Sequence, residues 1–286
     1  MKGQSVIVRS RMVHRMKGPS VLARSRMLPT MVWGLGLLIV WELMSWVLLH
    51  LIQVPLAQSK LPYVHEVIRT FGQYGTTLMR EGGVTFANAG VGFLIGAIAG
   101  VLIAILMSVS KWIENLTFPY AVASQMIPVL GLAPILYGIV RDEQIARILI
   151  AGYITFFPVS LNMLRGLRSI QPSALELMYS YAAKPWNVYL KLRFPASLPG
   201  LFSGLKIAAP LAVTGAILVE LMGAQHGIGV IMLRNLYYGP SHTYMFWSTV
   251  VVGALLGVLS YLLMSLIERW VSPWQPEFRA KGGNNE

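Results

Sequence analysis

Several uninterrupted apolar runs of about 20 residues or more fix the class of this chain before any motif is considered. A run of that length, wound as a helix, crosses the roughly 30 Å hydrocarbon core of a bilayer. Charged residues make up 12% of the 286 positions and hydrophobic ones 55%, whereas a soluble domain carries about 25% charge. The sequence therefore predicts an all-α membrane protein with six transmembrane helices, at about 31–54, 84–109, 118–140, 145–164, 201–222 and 245–267. With no cysteine, disulfides, thiolate metal sites and cysteine nucleophiles are excluded.

A net charge of +12 could point to nucleic acid, but the charges sit at the ends of the apolar runs, as topology-setting Lys and Arg do. With the N-terminus in the cytoplasm, sixteen Lys and Arg fall on the inner side and five on the outer, leaving Arg147 in the fourth span and Lys206 in the fifth. That bias predicts both termini, the 110–117 loop and the 165–200 stretch inside, and the 55–83, 141–144 and 223–244 segments outside.

Residues 1–30 form a basic tail in which MKGQSVIVRSRM returns as MKGPSVLARSRM, nine of twelve positions being identical. It reads either as a polybasic patch for anionic lipid or as a locally duplicated tail. The 31–54 run is too long for a signal-peptide core and is expected to remain as a helix; Glu42 within it is a packing or a pathway residue. Residues 55–83 read as an external amphipathic segment, and 84–270 as the core. In the second span, Gly92, Gly96 and Gly100 form a ridge that lets another helix approach closely. The third carries Pro119, Pro128 and Pro134 and must be kinked or unwound, which lipid tolerates only against protein or a water-filled cavity. Gln125, Met126 and Pro128 are thus candidate pathway residues, with Thr214 and Glu220 from the fifth span. Glu220 faces either the pathway or the following Gly-rich loop, which it would hydrogen-bond.

Between the fourth and fifth spans, Arg165 to Gly200 is a basic amphipathic insert, long for a loop. Ser173-Ala174-Leu175-Glu176 reads as a capping box that starts a helix. Pro185 suits the first turn of a second helix, which Phe194-Pro195 would close. This stretch resembles the cytoplasmic EAA coupling loop of ABC-importer permeases: Glu-Ala-Ala, three residues, Gly, nine residues, Ile, one residue, Leu-Pro. Glu176 stands at the Glu position, Leu177-Met178 at Ala-Ala, Ala182 at Gly, Leu192 at Ile and Phe194-Pro195 at Leu-Pro. Ser197-Leu198-Pro199-Gly200-Leu201 and Gly204-Leu205-Lys206 are similar to the nitrate, sulfonate, taurine, bicarbonate and pyrimidine-precursor branch. An alanine at that glycine position costs about 1–2 kcal/mol if the turn is left-handed.

The resemblance implies a MetI-like type I permease fold working as a homodimer in the bacterial inner membrane. It implies two ATPase subunits on the coupling helices, an extracytoplasmic substrate-binding protein, and ATP and Mg²⁺ held by the partner, with no cofactor in this chain. Glu176, Met178, Ala182, Ala183, Pro185 and Trp186 would carry energy coupling, and the 223–244 loop would meet the binding protein. Trp186 and Tyr189 fill an ATPase groove or lie at the lipid interface. The runs SQMIPVLGLAP (124–134) and FFPVSLNMLRGLRSIQP (156–172) are closer to pyrimidine-precursor or riboflavin permeases than to sulfonate ones.

Enzyme chemistry finds no foothold. There is no Walker A sequence, the five histidines lack metal-ligand spacing, and Gly227-Ile228-Gly229 reads as little beyond a turn. The competing class, a secondary transporter or channel run by an ion gradient, predicts inverted repeats and midplane ionisable residues. No second copy of the 118–200 pattern is present, and the ionisable residues Glu42, Lys206 and Glu220 are few, the last two near the ends of their span.

Overall fold

The computed structural model describes residues 27–239 and 242–274; the duplicated basic tail and the residues after 274 lie outside them. Every long element among the described residues is a helix. They divide into two units, one ending at Ala57 and one beginning at Gln58.

The first unit is α1 (Met27–Trp46), followed by a π-helical turn, Val47–Leu51. Most of its apolar side chains are exposed, Trp33 and Leu37 among them, as on a helix whose solvent is lipid. The His50 ring stacks on Trp46 at 5.3 Å.

The second unit starts with a short turn, α2 (Ala57–Lys60), and continues as α3 (Val64–Val109), α4 (Lys111–Met126), α5 (Val129–Val140) and α6 (Glu143–Arg168). Then come α7 (Pro172–Ser180), α8 (Pro185–Val188), a second π-helical turn (Tyr189–Arg193), α9 (Phe194–Glu220), α10 (Ile228–Tyr237) and α11 (Thr243–Val271). Five helices are long and apolar enough to span a membrane, and the bent α4–α5 pair makes up to six.

Residues 64–83, read from the sequence as a segment separate from the second span, are continuous with it. The 46-residue α3 is about 69 Å long at 1.5 Å per residue, more than twice the hydrocarbon thickness. No proline interrupts it after Pro62. Its N-terminal half is buttressed rather than free: Phe71 and Leu78 pack with Ile228 of α10 and Val252 of α11.

The bundle is organised around α6. On one face, the α3 glycine ridge lies directly on its backbone. A Cβ on Gly92 would sit 2.6 Å from that of Ala151, and one on Gly100 would sit 2.6 Å from the Phe156 carbonyl oxygen. On the other face, Gly200 and Gly204 of α9 approach the Asn162 and Pro158 carbonyls as closely. Small residues on both partners remove the side chains that would hold the axes apart, so dispersion contacts replace a hydrophobic drive that lipid cannot supply. Lys206 of α9 pairs with Glu268 of α11 at 2.8 Å, which gives the charge inside the fifth span a partner.

Candidate coupling element, broken span and outer polar network

Three sets of residues stand out, two at opposite ends of the bundle and one in the broken span between them. At one end lie α7 and α8. The expected capping box is not formed. Pro172 takes the first helical position, the N-cap falls on Gln171 without a side-chain bond, and Glu176 sits too deep in the helix to reach back. Pro172 has no N–H to satisfy and a preset φ, so it starts the helix unaided.

The far end of α7 closes in a Schellman arrangement: Ala183 N–H donates to the Met178 carbonyl at 3.1 Å and Ala182 N–H to that of Tyr179 at 2.9 Å. Ala182 carries the left-handed conformation this requires, with φ of 50°. Pro185 opens α8 as expected. Phe194-Pro195 does not close it: the chain runs through the π-helical turn directly into α9, and Phe194 N–H reaches back to Tyr189 O. The wide turn absorbs the N–H that Pro195 lacks. Glu176 and Pro185 are exposed and Met178 half-buried, while Trp186 is 68% and Tyr181 77% exposed. Glu176 and Trp186 are thus exposed at α7 and α8 together with Leu177, Tyr179 and Tyr181. Arg168, at the end of α6, makes a bidentate pair with Glu114 of α4, 2.6 Å from Nη1 to Oε1.

The third span is broken, as its prolines predict, and the break is sharp. The α4 and α5 axes meet at 96°. Ile127 is forced into extended backbone (ψ 119°) by the ring of Pro128. In a continuous helix, residue 128 would donate to the Ser124 carbonyl; proline cannot. The hydroxyl of Tyr153 on α6 donates to that carbonyl instead. Gln125, Met126 and Pro128 lie exposed at the bend, Met126 at 77%. Thr214 is exposed on α9, its hydroxyl bonded to the Pro210 carbonyl at 3.1 Å.

Glu220 belongs elsewhere. It has no exposed surface, so it does not line a pathway through this chain; its carboxylate is taken up by a network at the other end of the bundle. Thr85 of α3 donates to it at 2.8 Å, Gly229 N–H at 2.9 Å and Arg147 Nη1 at 3.3 Å. Arg147, 2% exposed, also donates to the His226 carbonyl at 3.0 Å and pairs with Glu143. Glu81 accepts from Gly227 N–H at 2.8 Å, and Thr85 Oγ1 from Ile228 N–H at 2.9 Å. Gly227-Ile228-Gly229 is therefore more than a turn. Its three N–H groups, left free at the start of α10, are capped by side chains from α3 and α9. Gly227 has φ of 116°, and a Cβ there would overlap the Glu220 carboxylate. A polar cavity of about 580 Å³ opens beside the network, lined by Arg80, Asn88, Gln144 and His226 among others.

The profile of binding-protein-dependent transport system inner membrane components matches residues 92–273, which hold the broken span and the α7–α8 segment entire. The chain belongs to that family. It is a permease subunit of the binding-protein-dependent ABC importer kind, and such permeases are multi-pass proteins of the inner membrane. Among its relatives is the formylaminopyrimidine transport permease ThiX of Halalkalibacterium halodurans, 32% identical over 193 residues, which are 67% of this chain and 76% of the relative. The riboflavin transport permease RibX of Chloroflexus aurantiacus is 30% identical over 165 residues, 58% of this chain and 61% of the relative. The sulfonate permease SsuC of Escherichia coli is 25% identical over 251 residues, 86% of this chain and 91% of the relative. Among solved structures, the MetNI methionine ABC transporter in an inward-facing conformation superposes with a TM-score of 0.57 at 20% identity. It covers 68% of this chain and 96% of its own, and it shares the fold. The family match begins at Gly92, so α1 and the N-terminal half of α3 lie outside it.

Three members of this permease's network and bend, Arg147, Glu81 and Tyr153, were not singled out by their sequence positions. Arg147 carried a readable signal, a charge four residues after Glu143 near the end of a span. Glu81 and Tyr153 carried none, because their partners lie 146 and 29 residues away.

Proposed function

We propose that this chain forms, as a homodimer, the translocation pathway of an ATP-driven importer for a small nitrogen heterocycle of the pyrimidine-precursor or riboflavin kind. The observation that carries the reading is the exposure of Glu176, Tyr181 and Trp186 at α7 and α8. Glu176, Trp186 and the Schellman turn at Ala182 present a rigid, aromatic-rich knob of the kind that fills a groove on a partner. That partner is an ABC ATPase carrying ATP and Mg²⁺, one copy per permease, on the cytoplasmic side together with both chain termini. Closure of the ATPase pair draws the two knobs together and opens the pathway outward; hydrolysis returns it. The bend at Ile127-Pro128 and the exposed apolar face of α5, with Leu130, Ile135 and Ile139, are suited to the dimer axis and the pathway. An external binding protein delivers solute to the end bearing α10 and sets most of the selectivity. The preference for a heterocycle over a sulfonate rests on the 32% and 30% identities to the formylaminopyrimidine and riboflavin permeases against 25% to a sulfonate one.

Purification of the tagged chain from its native membrane tests the reading. An ATPase should come with it one-to-one and be lost on Glu176→Arg or Trp186→Ala. A chain that emerges alone, with uptake driven by an ion gradient and indifferent to ATP, would refute it.

A further inference from the structure

Beside the π-helical turn lies a second cavity, of about 220 Å³, walled by Ser108 and Val109 of α3, Tyr179, Pro185, Tyr189 and Arg193. It is smaller than the roughly 300–1,000 Å³ of pockets for drug-sized ligands, which points to a compact group. Its wall is fixed: the Tyr189 and Ser108 hydroxyls are 2.7 Å apart, and Ser108 donates onward to the Ile105 carbonyl at 2.8 Å. Its donors are spare. Arg193 is half-buried and has no ion pair or hydrogen bond among the described residues, and neither does the Tyr179 hydroxyl. A partly desolvated guanidinium beside a phenol is a site for an oxyanion, which Arg binds through paired N–H groups.

Two further features say which oxyanion. On α3, the exposed Ile98, Leu102, Leu106 and Val109 follow helical spacing down one face and end at Val109, in the cavity wall. That stripe is a bed for hydrocarbon leading to a polar cup. The stretch from 165 to 200 carries Arg165, Lys184, Lys191 and Arg193 against Glu176, with Arg168 paired to Glu114, an excess of positive charge that favours anionic lipid.

We propose that the cavity binds the phosphodiester headgroup of an anionic phospholipid, its acyl chains lying along α3. The lipid then joins the end of α3 to the π-turn that leads from the coupling knob into α9. That the leaflet is the cytoplasmic one rests on the orientation proposed above; the site itself does not.

The full-length chain, in bilayer nanodiscs of phosphatidylcholine with added phosphatidylglycerol, is transferred to detergent and its retained lipid counted by native mass spectrometry. One phosphatidylglycerol per chain should survive washing that strips phosphatidylcholine. Arg193→Gln should lower its retention about fivefold, the effect of one basic contact, and Tyr179→Phe should lower it by a smaller factor. Arg165→Gln, the same charge change outside the cavity, should not. Equal loss in Arg165→Gln and Arg193→Gln would reduce the effect to bulk attraction and overturn the site. Displacement of the lipid from wild type by millimolar inorganic phosphate would overturn the lipid assignment in favour of a free anion. If Arg193→Gln does not fold, Arg193→Lys and Tyr179→Phe decide: full retention in both refutes the proposal. Because the count is made on the isolated chain, a failure here is separate from any failure to capture an ATPase.

Discussion

Ala182 holds the left-handed conformation of the α7 cap at a cost of about 1–2 kcal/mol that glycine would not bear. Ala182→Gly should therefore stabilise the chain by about 1 kcal/mol, read as a raised unfolding midpoint in detergent. The same substitution should leave ATPase capture intact, because the cap bonds are made by backbone. At the other end of the bundle, Arg147→Gln leaves Glu220 buried without its guanidinium and should cost about 3–5 kcal/mol. The double variant Arg147→Met/Glu220→Gln should recover part of that loss, since replacing both charges removes the stranded one. Thermal unfolding of the two variants side by side checks it, and a double variant no better than the single would sink the pairing. The αL residue was legible in advance, because alanine stood where the EAA pattern asks for glycine. The Arg147–Glu220 pair was not: its members are separated by 73 positions, and no local spacing reports a contact of that range.

At the level of helices, the bend between α4 and α5 rests on one missing N–H. Pro128→Ala restores a donor for the Ser124 carbonyl and allows the extended Ile127 to return to helix, so the bend should relax. The expected result is substrate uptake falling at least tenfold while the ATPase remains bound; uptake at the wild-type rate would show that the bend is dispensable. Tyr153→Phe should instead strand the Ser124 carbonyl and cost about 1–3 kcal/mol of stability. The sequence foretold the break because three prolines in an apolar run cannot make a straight helix. It misread the start of α7 for a related reason. Ser173 and Glu176 have capping-box spacing, but Pro172 claims the first turn and displaces both. Phe194-Pro195 looked like a stop, yet a proline ends a helix only where the ladder is α-helical on either side, and here a π-turn carries the chain past it.

Taken whole, the contacts of α6 with α3 and α9 are made backbone to backbone, while larger apolar side chains pack around them. A side chain on the α3 ridge has nowhere to go, so Gly96→Leu should prevent α3 and α6 from packing and yield little folded protein. Size-exclusion profiles against wild type would show it, a monodisperse peak being the contrary result. The six spans and the ridge could be read from composition and spacing because lipid imposes length and close packing imposes small residues. The polar network around Glu220 could not, because it is a property of four elements meeting. That meeting also sets an order of events during assembly. A helix of ten residues is too short to persist alone, and α10 takes the caps for its first three N–H groups from Glu81, Thr85 and Glu220. It can thus become helical only after α3, α6 and α9 have found one another, which makes it the last span-linking segment to set. Slow amide exchange at Gly227, Ile228 and Gly229 would then mark the moment the polypeptide has finished folding in the bilayer.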